Sequence, residues 1–426
     1  MAPSKIVVAL LGTCDTKLQE LLYLRSQILR QANTEVTLID VGRTPIEHEA
    51  ISVRQQDLFA RHGSADSQAS LQSLPRGEVI KLVSDLASKY VRDLHTQKKI
   101  HGIVAAGGSG GTSLAAAVLR DALPIGLPKL IVSTVASGDT GPLVGETDIT
   151  MMYSVVDIAG LNQVLRAILS NAGAAIAAAA RAYAEREEHP EAETQPSKRV
   201  GITMFGVTTP GVDAVRRHLE DKYPGVVEVY VFHATGHGGK AMERLIEEGR
   251  LDAVIDFTTT ELCDLVTGGC MSAGPHRLEA AAKAGIPYIV SLGATDMTNF
   301  GAMGTVPTKY RERKLYEHNP TVTLMRTSAD EYRQVAEHIC TKLRTHAKDK
   351  DRVQVWMPTG GVSIISVPGG PFEDIEADKV LFSEVQRGLE GSGIRVVEDA
   401  RHINDEGFAR DIAEELGSLL GLSARE

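Results

Sequence analysis

Residues 107 to 111 read Gly-Gly-Ser-Gly-Gly, entered by the apolar run Ile103-Val104-Ala105-Ala106 and left by an alanine-rich stretch. Three chemistries use such a turn. Glycines let backbone N–H groups approach a phosphate, and a helix that starts there adds partial positive charge. Gly107-x-Ser109-x-Gly111 also has the spacing of a nucleophile elbow, with Ser109 as the attacking group. A tight structural turn needs nothing more than the glycines. The lysine of the P-loop pattern G-x-x-x-x-G-K-[ST] is absent, and so is a full G-x-G-x-x-G. No acid–histidine pair follows Ser109 in a recognisable setting, so the phosphate or nucleotide cradle is the favoured reading.

Other polar loops fall at corresponding places. Gly12, Thr13, Asp15, Thr16 and Lys17 follow the first apolar run, and Arg43 follows the second. Gly107, Gly108, Ser109, Gly110, Gly111 and Thr112 follow the third. Ser133, Thr134, Glu146, Thr147 and Asp148 follow the fourth. Lys17 offers the charge the glycine loop lacks, and a carboxylate here could hold Mg²⁺ through water. Taken singly, each of these is an ordinary helix cap or turn residue.

A second set lies further along. Thr235, Gly236, His237, Gly238, Gly239 and Lys240 form a candidate anion loop, joined by Thr259, Arg277, Arg311 and Arg313. Arginine forks suit carboxylates and phosphates. His233, His318, Asp296 and Glu261 are the candidate acid–base groups. His233, His237, His318 and Asp296 lack tight ligand spacing, so no metal site is expected. Cys263 and Cys270 read as packing thiols.

These loops need rigid elements to hold them. Short β-branched runs ("KIVVALLG", "EVTLID", "HGIVAAGG", "KLIVSTVA") alternate with helical patterns, and the rhythm returns with "RVGITMFG", "VEVYVFHA", "LDAVIDFT", "IPYIVSLG", "TVTLMRT", "VQVWMP" and "IRVVED". Continuous apolar strands separated by helices build parallel sheets covered on both faces. The expected fold is therefore two tandem Rossmann-like, doubly wound α/β domains, in which ligands sit at the C-terminal strand ends. The boundaries expected are 1–186 for a nucleotide-binding domain, 187–198 for a charged, proline-bearing linker, and 199–426 for a domain with a small-anion site. A long small-residue helix around 158–182 is suited to a homodimer contact.

Composition narrows the classes. The chain has 426 residues, of which 43% are hydrophobic, 23% charged and only 4% aromatic, with a net charge of −10. Low aromatic content and negative charge argue against nucleic acid as a partner. The four cysteines show no metal or disulfide pattern, which fits a reducing compartment. The N-terminal stretch lacks the features of a secretory signal, and no apolar stretch of spanning length is free of glycine and charge. The expectation is a cytoplasmic protein without a membrane anchor.

Together "GTCDTK", "AAGGSGGT", "GETDITMMYSVVDIAGLN", "HATGHGGKAME", "AGPHRLEAA", "HNPTVTLMRT" and "GGVSIISVPGGPFEDIEAD" resemble the family of the ATP-binding domain of the tomato mosaic virus resistance protein, with its bacterial and fungal relatives. The likeness runs over roughly 5 to 420. It implies two α/β subdomains, ATP on the first, homodimers, and no copy of the C-terminal barrel of longer relatives. Two function classes follow: an ATP-dependent enzyme that joins the nucleotide to a small anionic metabolite across an interdomain cleft, or a nucleotide-gated binding protein without turnover. A serine hydrolase using Ser109 is the third reading.

Overall fold

The computed structural model describes residues 5–188 and 198–423. The chain divides into two compact units, Met1–Glu193 and Thr194–Glu426. Of the expected linker, 189–197 lies outside the described residues; Glu188 still ends a helix and Lys198 already begins a strand.

The first unit runs β1 (Ile6–Gly12), α1 (Cys14–Leu29), β2 (Thr34–Asp40), α2 (Gln55–His62), α3 (Ala65–Ser70) and α4 (Arg76–Thr96). It continues with β3 (Gly102–Gly107), α5 (Ser109–Ala122), β4 (Lys129–Ser133), α6 (Gly141–Val144), β5 (Thr150–Tyr153) and α7 (Gln163–Glu188). Its five strands are all parallel, in the order β2-β1-β3-β4-β5. Alternate residues of one strand face opposite layers. Val8 and Leu10 pack with Leu21, Leu24, Leu169 and Ile176 of α1 and α7, whereas Ala9 and Leu11 pack with Val83, Leu86, Leu114 and Val118 of α4 and α5. Burying each such aliphatic side chain contributes about 1.5–3 kcal/mol. Helix α7 is long and apolar enough to cross a membrane by length and composition. One face of it is core: Leu165, Leu169, Ala172, Ile176, Ala177 and Ala180 are buried. Gly173 allows the close approach to α1, since a Cβ there would lie 2.8 Å from Cβ of Gln27.

The second unit opens with β6 (Lys198–Met204), α8 (Thr209–Lys222), β7 (Val227–His233), α9 (His237–Glu247), β8 (Ala253–Thr258), α10 (Glu261–Thr267) and α11 (Ala280–Ala284). Next come β9 (Tyr288–Gly293), β10 (Met297–Phe300), β11 (Leu315–Asn319), β12 (Val322–Arg326) and α12 (Ala329–His346). It closes with β13 (Val353–Pro358), α13 (Ile375–Leu389), β14 (Arg395–Asp399) and α14 (Glu406–Leu419). Six strands form a parallel sheet ordered β14-β13-β9-β8-β6-β7. The run "TVTLMRT" does not join it. It becomes β12, the centre of an antiparallel three-stranded sheet, β10-β12-β11. Both units are thus doubly wound α/β folds with mostly parallel sheets, as the alternating pattern implies.

Candidate functional site

In the first sheet the strand order reverses between β1 and β3. Loops leaving those strands diverge there and leave a crevice, the usual ligand position in such sheets. A cleft of about 750 Å³ occupies this place, lined by Thr13, Asp15, Thr16, Lys17, Val41, Arg43, Arg76, Val79, Ile80, Gly108, Ser109, Gly110, Gly111, Leu114, Thr134 and Asp157.

Two carboxylates fix its floor. Asp40, at the end of β2, accepts from the amides of Cys14 (3.0 Å) and Gly42 (2.8 Å). Asp15 accepts from the amides of Arg43 (2.9 Å) and Thr44 (3.0 Å). Burial pushes the Asp40 carboxyl up, and the two amides oppose the shift. Burial, and then Asp40, raise the Cys14 thiol, which is therefore no nucleophile. Asp15 keeps one buried oxygen, Oδ1, without a partner among the described residues. Helix α1 is interrupted at Lys17, whose φ of −132° and ψ of 21° break the helical run where the side chain reaches the cleft.

The glycine loop forms the opposite wall. Gly108 caps α5, and the first intrahelical bond runs from the Thr112 amide to the Gly108 carbonyl at 2.8 Å. The amides of Ser109, Gly110 and Gly111 precede it and face outward, as first-turn donors do. Against them stands Arg76, the first residue of α4. A Cβ placed on Gly110 would lie 2.6 Å from its Nη2. Arg43 is held by the carbonyls of Leu74, at 2.9 Å, and Gln72. The cleft therefore gathers the cations Lys17, Arg43 and Arg76, the carboxylates Asp15 and Asp157 and a helix start, with Val41, Val79, Ile80 and Leu114 as its apolar surface.

Several expected residues are elsewhere. A Cβ on Gly12 would meet Leu21 at 2.5 Å, so this glycine serves packing, and Gly107 backs onto Gly111. Thr112 and Ser133 share a buried hydrogen bond of 2.7 Å and lock the first turn of α5 to the end of β4 instead of facing the cleft. Glu146, Thr147 and Asp148 belong to the opposite sheet edge. A parallel β5 must start where β4 starts, so 134–149 carry the chain back; Asp148 there accepts from Lys129 Nζ (2.6 Å) and the Gly126 amide (2.8 Å). Thr147 bonds the Val144 carbonyl at 2.6 Å.

Two lining groups escaped sequence reading. Arg76 carried a signal: a basic side chain at the first helical position opposes the helix dipole, a local conflict that marks function. Asp157 is delivered by a strained turn. Val155 has φ of 61°, an outlier for a β-branched residue, and the turn is pinned by bonds of 2.6 Å between Ser154 and Val156. Among the described residues no histidine lines the cleft to serve Ser109 as a base. His101 is at the far edge, its Nδ1 accepting from the Val7 amide at 3.0 Å.

The second unit corrects the anion set. Loop 235–240 is an anion cradle, but the anion is internal. Glu261 accepts from the amides of Gly236 (2.7 Å) and Gly239 (3.1 Å). Its other oxygen takes Nε of Arg277 at 2.7 Å, and that arginine forks onto Asp256 and reaches Glu243 at 3.3 Å. Arg277 and Glu261 are both buried. They form a buried ion cluster in which the Arg277 fork is occupied by Asp256 and Glu261. Arg313 pairs with Glu331 at 2.8 Å. Arg311 is exposed and bonds the Val306 carbonyl at 3.4 Å. Lys240 and His237 lie in the first turn of α9. A Cβ on Gly238 would meet the His233 carbonyl at 1.9 Å, which explains that glycine, and Thr235 bonds the same carbonyl at 3.3 Å. Thr259 bonds the Ser291 carbonyl at 3.0 Å. Arg277, Arg311 and Arg313 thus each have separate partners among the described residues.

The acid–base candidates disperse too. His233 lies beside Phe205, with ring centroids 5.6 Å apart, and His318 is on the exposed strand β11. Asp296 is fully buried. It accepts from Ser363 Oγ at 2.7 Å, and burial pushes its carboxyl up to about 7, with Arg326 opposing. Among the described residues no three His, Cys, Asp or Glu side chains gather as metal ligands. The crevice between β6 and β8 is filled: Asn404 accepts from the Gly211 amide (3.1 Å) and donates to the Val207 carbonyl (3.0 Å).

Comparison with known proteins covers nearly the whole chain. Residues 6–185 match the N-terminal domain, and 197–420 the C-terminal domain, of the family described as Uncharacterised protein family (UPF0261). A UPF0261 protein of Clostridium tetani is 41% identical over 413 residues, covering 97% of this chain and 98% of that protein. The ToMV resistance protein Tm-1(GCR237) of Solanum lycopersicum is 38% identical over 422 residues, covering 95% of this chain and 54% of the tomato protein. Among solved structures, an esterase domain from Rhodothermus marinus aligns with a TM-score of only 0.28 at 14% identity, over 53% of this chain and 87% of that one, too weak to carry an argument. With both domain models matched end to end and relatives of this identity, the chain belongs to the UPF0261 family.

Proposed function

We propose that the first unit binds ATP in the β1–β3 crevice. One observation carries the reading: a glycine-started helix end, with its free amides, shares one cleft with Lys17, Arg43 and Arg76. Amide donors and guanidinium or ammonium groups are the usual phosphate partners. The residues fit the ligand. Gly110 has hydrogen where any larger side chain would displace Arg76, and the cleft volume lies within the range of small-molecule sites. The phosphates would rest on Ser109, Gly110 and Gly111, the nucleoside on Val41, Val79, Ile80 and Leu114. Asp15 and Asp157 are the carboxylates that would hold a hydrated Mg²⁺. Bound ATP supplies a transferable phosphoryl group.

Two roles remain for that nucleotide. The first is an ATP-dependent enzyme acting on a small anionic metabolite. The second, a nucleotide-gated binding protein, is favoured by the engagement of Arg277 and Arg313 with carboxylates of the second unit, which takes these two arginines out of a shared substrate fork. A cytoplasmic homodimer belongs to either reading; α7 exposes Ala167, Ala174, Ala175, Ala178 and Ala179, and light scattering at twice 45.7 kDa would support the dimer. Calorimetry with Mg²⁺-ATP tests the site itself. Wild type binds with a single isotherm and Gly110→Val does not; equal affinity for both proteins sinks the proposal. Phosphate release measured on the same samples then separates enzyme from binder.

A further inference from the structure

Arg76 differs from the other two cations of the cleft in ways that assign it a separate task. Arg43 is anchored on two carbonyls, and Lys17 rises from the interrupted first turn of α1. Arg76 comes from a different helix, is exposed, and its side chain has no hydrogen bond or ion pair among the described residues. It sits at the positive end of α4, an unfavourable place for a cation. Folding alone gives no return for that placement. An anion between the starts of α4 and α5 would.

The geometry also separates its reach from that of the amides. Ser109, Gly110 and Gly111 present three donors, enough for one phosphate group. The Arg76 guanidinium lies beside them, with Nη2 2.6 Å from the absent Gly110 Cβ. A single phosphate is satisfied by the amides; a further phosphate brings the guanidinium fork into use as well. We propose that Arg76 is the specificity-determining residue that selects nucleoside polyphosphates over monophosphates, an inference that rests on the nucleotide reading of this cleft. It also explains Gly110: any Cβ there pushes the guanidinium away.

The test is calorimetry of the full chain with ATP, ADP and AMP, for wild type, R76A, R76K, G110A and R76A/G110A. Loss of a charged hydrogen-bond partner predicts a fall in ATP affinity for R76A of roughly ten- to hundredfold. AMP affinity should change less than about twofold on the same grounds. R76K recovers only part, because an ammonium lacks the fork. G110A weakens ATP in the wild-type background and does nothing further in R76A, since the two changes act through one contact. Thermal melts of ligand-free R76A should not fall, because the substitution relieves a helix-dipole conflict. If R76A weakens ATP and AMP by the same factor, or neither, the selectivity role is wrong while the nucleotide site stands. If wild type binds none of the three nucleotides, the site reading and this inference fall together.

Discussion

At the level of single residues, buried charge is the sharpest feature. Arg277 neutralises part of a cluster containing Asp256, Glu261 and Glu243, with the Tyr288 hydroxyl also donating to Asp256 at 3.0 Å. Burial already raises the Glu243 carboxyl, against the pull of Arg277. Arg277→Ala would strand these carboxylates, and the expected loss is about 3–5 kcal/mol in a urea melt. A loss under about 1 kcal/mol would mean the cluster is solvated. Asp296 gives a pH prediction. Its folded-state carboxyl titrates at about 7, well above an ordinary aspartate, so the folded protein holds a proton that the unfolded chain has released. Its stabilising share is complete below the unfolded value near 4 and is lost as pH rises towards 7. Compared with wild type, Asp296→Asn should lack a downward slope approaching 1.4 kcal/mol per pH unit in that window. Parallel curves for the two proteins would rule it out. None of this was legible from the sequence: Glu261, Arg277 and Asp296 have the residue types of a reactive site, and only the tertiary structure shows that Glu261 and Arg277 pair with each other and that Asp296 is buried against Ser363.

Among the elements, the parallel strands were readable because burial on both faces writes a continuous apolar run. Their partners were not. "TVTLMRT" is as apolar as a central strand, yet it pairs with two strands whose own sequences hide them: "MTNF" is four residues and "LYEHN" is largely exposed. The short edge strand "TMMY" was hidden for the same reason, and missing it misplaced Glu146, Thr147 and Asp148. Apolar periodicity reports burial, not neighbours. The glycine loop and the Thr13–Lys17 turn were legible because strand-to-helix junctions need special backbone, whereas Arg76 belongs to a helix distant in sequence. The α1–α7 contact offers a test at this scale. Gly173→Val inserts bulk where 2.8 Å separates a Cβ from Gln27. Overpacking of this kind costs about 1–3 kcal/mol, read as a lower urea midpoint. An unchanged midpoint would show that the helices slide freely.

Across the whole molecule, the two units share an architecture and differ at their crevices. The first is open and cationic; the second holds Asn404 and is sealed by its own loop, where a Cβ on Gly211 would meet the Ile403 carbonyl at 2.6 Å. Under the nucleotide proposal, calorimetry should give one ATP per chain. Two equivalent sites would contradict the contrast between crevices.

The turn at Val155 has a further consequence, for protein engineering. The residue is 60% exposed and unusually placed in the left-handed region, so asparagine, which tolerates that region, should lower the local strain by something on the order of 1 kcal/mol. The same turn presents Asp157 to the cleft. A search for thermostable variants should therefore keep returning to position 155, and each success there would relax the loop that carries a proposed Mg²⁺ carboxylate. Val155→Asn is expected to melt higher and to bind Mg²⁺-ATP less tightly, robustness and ligand grip trading through one backbone torsion.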